Sequence, residues 1–501
     1  MQFVENDQPN KQALKLNVNP MIFSDISTQR FKNLLALSMV IMLFSCETAQ
    51  MQEAGSDDPR TQKVDELFSQ FDKEGTPGAT VAIVQDGEII YKQGYGLANM
   101  EYDIPNTPST IFHIASVSKQ FTCFAAMLLV EEGKISLNDD VRKYIPEVPD
   151  FGKTITLRHL ANHTSGLRDQ WNLLALGGWR LDDVITKEHV MKLVEKQEAL
   201  NFDPGEEYYY CNTGYTLLAE VVSRVSGKSF AEFTQERIFE PLGMESTLFY
   251  DDHQKIVPNR AYSYGRNGRK YNKAVLSYAN VGATSLFTTV EDLALWADNF
   301  EAATIGNANT MKEMHTQGIL NNGDTISYAL GQVIDKYRGF NRVQHSGGDA
   351  GYRTYIGRYP EQNFSVIVFS NFGNFNPGWK ASQIADIYLE EHFTEPRTPF
   401  KSNISEEGEP LPMKGNLTDF EGTYYSPELS TSYEMKVKDG KLIAVHSRHS
   451  DIELDHRSGD QFNSSAWFFG RVTFTRNNRG QIDGYTVDSG RVRHLKFNKV
   501  D

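Results

Sequence analysis

Only three cysteines, Cys46, Cys123 and Cys211, occur in the 501 residues. Three thiols cannot build a disulfide framework, so the fold must hold by burial. Long apolar runs are missing too, and none reaches the roughly 18 residues that a membrane-spanning helix needs. Basic charge is in short supply, with 50 Lys plus Arg against 65 Asp plus Glu and a net charge of -15. A chain this acidic has no general electrostatic reason to seek nucleic acid. No G-x-S-x-G occurs, which excludes the nucleophile elbow of the α/β-hydrolases. Gly227-Lys228-Ser229 looks like half a phosphate-binding loop, but Val222 stands where that loop needs glycine. Gly94-Tyr95-Gly96 lacks both the third glycine and a following helix of a dinucleotide motif. His446, His449 and His456 have no carboxylate or thiolate at ligand spacing, so neither a metal nor a cofactor is expected. What remains is an ordinary globular composition, 40% hydrophobic and 23% charged. The chain is too long for one core, so two domains are expected. There is no internal repeat.

One short apolar stretch, Leu34 to Phe44, follows Arg30 and Lys32 and ends at Ser45-Cys46. A basic flank, about a dozen apolar residues and a small residue at the end predict a secretory signal over residues 1–45. Met21 would give such a signal a more usual length. Leu43-Phe44-Ser45-Cys46 resembles a bacterial lipoprotein lipobox. That resemblance implies a lipid on Cys46, a membrane anchor and a place in the bacterial cell envelope. Residues 46–63 are small and polar and read as a tether, with folded sequence expected from about Val64.

Thr80–Val84 and Glu88–Tyr91 read as strands joined by a hairpin turn at Asp86-Gly87. A long helix is predicted from Ser116 to Glu132, with Phe121, Phe124, Leu128 and Leu129 on one face. Further helices are expected at Gly214–Val225, Ser229–Phe239 and Val290–Phe300, and strands at Tyr352–Tyr359 and Phe364–Ser370. Strands at both ends and helices between them predict an α+β domain over residues 64–393 whose sheet pairs early with late segments. Residues 394–416 hold four prolines among mixed charges and read as a linker. Beyond it come six short alternating segments: Gly422–Tyr425, Tyr433–Val437, Leu442–Val445, Val472–Arg476, Tyr485–Val487 and Val492–Asn498. Such spacing predicts a small antiparallel sandwich or barrel over residues 417–501. Few contacts are expected to cross the linker, so a chain ending near Ser402 should keep its catalytic fold.

The chemistry begins at Ser116-Val117-Ser118-Lys119, the one S-x-x-K in the chain. A spacing of three puts the Ser116 hydroxyl and the Lys119 amine on one helical face. A helix start also offers spare backbone N–H groups for a developing oxyanion. A desolvated lysine can accept the serine proton. Tyr210-Cys211-Asn212 precedes the next long helix, and its phenol can relay a proton while the amide holds a substrate carbonyl. Tyr278-Ala279-Asn280 has the same spacing but no helix after it. His345-Ser346-Gly347-Gly348 leads into the strand at Tyr352, where glycines let a ligand lie against the backbone. There the N–H of Gly348 is placed to be a second oxyanion donor. A thiol nucleophile at Cys211 would leave Ser116 and Lys119 unexplained, and Cys123 reads as packing in a buried helix.

These three elements, in this order, resemble those of the serine β-lactamases and penicillin-binding proteins, whose set is S-x-x-K, Y-x-N or S-x-N, then K-T-G. The nearest branch looks like the class C β-lactamase-related group of D,D-carboxypeptidases, D-aminopeptidases and esterases. Leu160 to Leu167 and Phe202 to Leu248 are similar to this group as well, and residues beyond the linker are similar to a lipocalin-like β domain. The resemblance implies a β-lactamase/transpeptidase-like domain followed by a lipocalin-like barrel. It makes Ser116 the nucleophile, Lys119 its base and Tyr210 the proton relay. Asn212, His345, Ser346 and Gly347 become substrate contacts, and the N–H groups of Ser116 and Gly348 form the oxyanion hole. The implied activity is hydrolysis of a small ester, amide or D-amino-acid peptide through an acyl-enzyme. A penicillin- or acyl-binding receptor with little turnover is the alternative. His345 departs from the family lysine. An unperturbed histidine is mostly neutral at pH 7, which disfavours β-lactams. A pH near 6.5 should restore part of the charge. The oligomeric state is not legible in these residues.

Overall fold

The protein was analysed as a computed structural model, which describes residues 58–397 and 411–500. The predicted signal, Cys46 and most of the linker lie outside the described residues. Helix α1, Pro59–Phe68, begins five residues before Val64, with Val64 and Phe68 buried. Strands β1 (Ala79–Gln85) and β2 (Glu88–Tyr95) form a hairpin whose turn residues Asp86 and Gly87 both have positive φ, 53° and 80°. That is the two-residue geometry an Asp-Gly turn favours. β3 (Val333–Tyr337), β4 (Phe340–Asp349), β5 (Tyr352–Tyr359) and β6 (Phe364–Ser370) complete an antiparallel sheet of order β3-β4-β5-β6-β1-β2. Early and late segments therefore pair, with Ala79 opposite Ser370 and Gln85 opposite Phe364.

Both faces of this sheet are covered, and the side-chain period of two explains how. Val81 and Ile83 of β1, with Val366 and Val368 of β6, pack against Phe68 of α1 and Ile384 of α6 (Pro377–Leu389). Ala82, Val84, Ile367 and Phe369 join the opposite core, with Phe121 of α2 (Ser118–Glu131) and Trp296 of α5 (Val290–Ala302). The sequence places one apolar face on α2. The structure instead buries every residue from Ser118 to Leu129, because the helix runs through the middle of the domain. The segment read as one helix, Ser229–Phe239, divides into an α part, Phe230–Thr234, and a π turn, Gln235–Phe239.

The C-terminal region is a closed barrel of eight antiparallel strands. These are β7 (Gly422–Ser426), β8 (Thr431–Lys438), β9 (Lys441–Val445), β10 (Ile452–Ser458), β11 (Gln461–Asn463), β12 (Arg471–Arg476), β13 (Ile482–Ser489) and β14 (Val492–Lys499). Sequence reading missed β10 and β11, the histidine-bearing stretch. The interior is filled with buried rings, among them Phe420, Tyr424, Tyr433, Phe474 and Tyr485.

The expectation that few contacts cross the linker does not hold. Leu173 and Leu176 of helix α3 (Gln170–Leu176) belong to the barrel core. Tyr433 donates to Leu176 O at 3.0 Å, and His449 Nε2 donates to Ala175 O at 2.7 Å. Arg168 and Glu428, both nearly fully buried, pair at 2.6 Å. Proline-rich composition describes the connecting chain and says nothing about surfaces on either side of it.

Candidate active site

Ser116 lies on a single 3-10 turn, Ala115–Val117, directly ahead of α2. Ala115 is left-handed, with φ of 49°, a conformation that costs a non-glycine residue about 1 kcal/mol. Three hydrogen bonds hold it there. Ala115 N–H donates to His113 Nδ1 at 3.2 Å, the Ser118 hydroxyl to Ala115 O at 2.5 Å, and the Thr354 hydroxyl to Ile114 O at 2.8 Å. Gly347 allows the last contact, since a Cβ on it would stand 2.3 Å from Ile114 O. Strand β4 and the Ser116 turn touch at that glycine.

Lys119, one turn on, is fully buried. Its Nζ lies 3.1 Å from Ser116 Oγ, 2.8 Å from Asn212 Oδ1 and 2.7 Å from Ala283 O. Burial pulls its pKa down to about 7, with Arg491 adding to the fall and Asp349 and Asp169 opposing it. A neutral amine has two hydrogens and one lone pair. Asn212 Oδ1 and Ala283 O take the hydrogens, which leaves the lone pair for the Ser116 O–H.

Tyr210 is half-buried beside them, and its hydroxyl interacts with Ser116. Burial drives its pKa well above the ordinary phenol value, and Ser116 and Arg491 only partly offset this. The phenol stays protonated, so it is a donor and not a base. Asn212 opens helix α4 (Asn212–Ser226), where its N–H and Nδ2 both donate to Asp169 Oδ2, at 2.7 and 2.8 Å. That pairing turns Oδ1 toward Lys119. The rival triplet is used elsewhere: Asn280 Nδ2 donates to Thr216 Oγ1 at 3.0 Å, and Tyr278 bonds Asp349. Burial raises the Cys211 and Cys123 thiols to about 12, which leaves both unreactive at neutral pH.

His345 Nδ1 lies 2.7 Å from Ser346 O, and Nε2 lies 2.9 Å from the Tyr328 hydroxyl. A carbonyl only accepts, so Nδ1 carries the hydrogen and Nε2 accepts from Tyr328. Burial, with the Lys119 charge beside it, pulls the His345 pKa down to about 3. The expected partial charge near pH 6.5 is therefore wrong. The ordinary imidazole value does not survive full desolvation.

β3 pairs with β4 only as far as Gln344. From His345 to Asp349 the outer edge of β4 has no strand beside it among the described residues, and Ser346 and Gly348 are exposed there. A free edge of this kind can take an extended ligand. A cleft of about 360 Å³ runs along it, walled by Ser116, Tyr208, Tyr210, Tyr328, His345, Ser346 and Gly348, and by Arg491 from the barrel. A larger groove of about 550 Å³ lies further along α4, near Glu220 and Lys228, and contains none of the predicted residues. Chemistry, not size, selects the smaller cleft. Sequence reading brings Ser116, Lys119, Tyr210, Asn212 and His345 to Gly348 into one place but misses Asp169, Tyr328 and Arg491. The family-like stretch Leu160–Leu167 stops two residues short of Asp169. Arg491 has no local signal at all. Among the described residues no group of three or more His, Cys, Asp or Glu is placed to hold a metal ion.

A family model described as Beta-lactamase matches residues 64–386. The chain is 32% identical over 329 residues to Penicillin-binding protein 4* of Bacillus subtilis (strain 168), covering 61% of this chain and 70% of that protein. It is 28% identical over 296 residues to the D-aminopeptidase of Gluconobacter oxydans (strain 621H), covering 59% of this chain and 56% of that one. The chain thus spans little more than half the length of this D-aminopeptidase. Among solved structures, the octameric penicillin-binding protein homologue from Pyrococcus abyssi matches with a TM-score of 0.59 at 26% identity. That match covers 88% of this chain and 100% of the other, a share too large to leave out the barrel. D-amino acid amidase from Ochrobactrum anthropi SV3, complexed with D-phenylalanine, shares the fold with a TM-score of 0.57 at 19% identity. It covers 66% of this chain and 99% of its own.

Proposed function

The chain belongs to the β-lactamase family, and from that premise we propose that it is a serine hydrolase working through an acyl-enzyme on Ser116. Its substrates are small esters, amides or peptides of D-amino acids. The D-aminopeptidase and penicillin-binding names of its relatives support that class. The mechanistic reading rests on one observation: the Lys119 amine has acceptors for two hydrogens and Ser116 Oγ at the remaining position.

In the first step Ser116 Oγ attacks the scissile carbonyl and its proton passes to Lys119 Nζ. The oxyanion is held by the N–H groups of Ser116 and Gly348. As the tetrahedral species collapses, the bond to the alcohol or amine breaks. Tyr210 O–H protonates that leaving group and recovers a proton from Lys119. Water then adds to the acyl ester, losing a proton to Lys119, and as the bond to Ser116 Oγ breaks Lys119 returns that proton to the serine, freeing the carboxylic acid.

The test treats the protein with a fluorophosphonate and follows hydrolysis of a p-nitrophenyl ester and of N-acetyl-D-alanyl-D-alanine. We expect one adduct, on the Ser116 peptide, and many turnovers per chain. A stoichiometric burst without steady-state turnover would favour the receptor reading. An adduct on another residue would remove Ser116 as nucleophile.

We also propose that the enzyme is anchored in the bacterial cell envelope by lipid on Cys46, a reading that rests on sequence alone. Cys46→Ser is expected to move the protein from the membrane fraction to soluble or unprocessed forms, because anchoring relies on the added acyl chains. Unchanged membrane association would contradict it.

A further inference from the structure

We propose that Arg491, delivered by the barrel, is the carboxylate anchor of the cleft, so that the preferred substrates carry a free carboxylate close to the scissile bond. This inference rests on the serine-hydrolase reading above. Arg491 sits at the tip of the β13–β14 hairpin, and the tip is pinned to the hydrolase region. Gly490 O accepts from the Tyr209 hydroxyl. Arg491 O accepts from Asn201 Nδ2 at 3.1 Å and from Asp169 N–H at 3.3 Å. The approach is close enough that a Cβ on Gly490 would stand 2.5 Å from Asn172 Nδ2.

The backbone is thus fixed while the side chain remains available. Its guanidinium lies over the Tyr210 ring, 4.7 Å from the centroid, and 42% of the side chain is exposed. It forms a loose ion pair with the buried Asp169, whose Oδ2 lies 3.6 Å from Nη1, too long for a hydrogen bond. That same oxygen already accepts twice from Asn212.

The cleft wall decides which substrate charge is welcome. Of its residues only Arg491 bears a charge at neutral pH, since His345 is neutral and no Asp or Glu lines it. Lys119 is buried beneath, with its hydrogens committed to Asn212 and Ala283. A substrate ammonium would meet a cation and no partner. A carboxylate would meet a planar fork matched to it. The positive charge that a lysine supplies in the K-T-G pattern therefore comes here from another domain.

The experiment compares binding of N-acetyl-D-alanyl-D-alanine and its C-terminal amide by calorimetry at pH 7.5. It uses the full chain with Ser116→Ala, so that nothing turns over. With Arg491 present, the free acid should bind at least about tenfold tighter than the amide, as expected for a charge-assisted pair. Arg491→Gln should bring the acid-to-amide ratio to near one, and Arg491→Lys should restore part of it. A ratio near one with Arg491 present, a ratio unmoved by Arg491→Gln, or no binding of the acid at millimolar concentration would each overturn the assignment. Loss of hydrolysis in the unmodified protein would end the hydrolase reading and leave this ratio interpretable. A flat ratio beside intact turnover would end only the carboxylate reading.

Discussion

Ser116→Ala and Lys119→Met are each expected to lower ester hydrolysis by roughly 10⁴-fold, to one floor, with the double variant no slower than either alone. The two groups perform one act, moving a proton as the carbon–oxygen bond forms, so removing either removes the act. Methionine keeps the length of the lysine stem in a fully buried position but leaves Asn212 Oδ1 and Ala283 O without their donor. That loss costs about 1–3 kcal/mol per acceptor, so a thermal melt must accompany the kinetics. The wild-type pH profile carries the same argument. A lysine held near 7 is protonated, and inactive as a base, below that value. kcat/KM should therefore climb as pH rises toward 7 and level off above it. Burial sets this limb first, the Arg491 guanidinium lowers it further, and the carboxylates of Asp349 and Asp169 pull it back up. A Lys119→Met enzyme that keeps more than about a hundredth of the wild-type rate would make another group the base.

How much of this was legible in the sequence follows from how local each feature is. Tyr352–Tyr359 and Phe364–Ser370 have the same bounds in sequence and structure, since β-branched and aromatic runs between turns need no distant information. S-x-x-K is legible because three residues fix its geometry. The left-handed Ala115 that precedes it is not, because alanine carries no signal for positive φ and the strain is held by Thr354 and Ser118. β10 and β11 went unread for a related reason. Ile452–Ser458 alternates only as far as Asp455, and the exposed His456 that breaks the pattern drew attention to metal chemistry. The His345 pKa depends on burial against Tyr328 and Lys119, which sequence distance hides. Asp169 and Arg491 belong to the same class. Asp169 reaches Asn212 from a neighbouring loop, and Arg491 reaches Tyr210 across the hydrolase–barrel interface, contacts that only the folded chain creates.

That interface carries the other large effect: a chain ending near Ser402 is expected to aggregate or to melt without a cooperative transition. Removing the barrel would strip Leu173 and Leu176 of the core they enter, a loss of about 1.5–3 kcal/mol for each side chain. It would also break the buried Arg168–Glu428 pair and open the Arg168 side of that contact to water. Burial pushes the Glu428 carboxyl above its ordinary range and Arg168 pulls it back. The intact pair is for that reason no large net source of stability. With the barrel in place, an unpaired buried guanidinium is nonetheless costly, at about 3–5 kcal/mol. Glu428→Gln isolates this part, because it keeps the shape and removes only the charge. Its urea midpoint should fall by the equivalent of about 3 kcal/mol, and its barrel strands should remain folded. A truncated chain that stays monomeric, melts cooperatively near the full-length midpoint and still hydrolyses the p-nitrophenyl ester would show that the barrel is an appendage. Cleft walls made by β4 and the Ser116 turn would then suffice, and Arg491 would be dispensable to the chemistry.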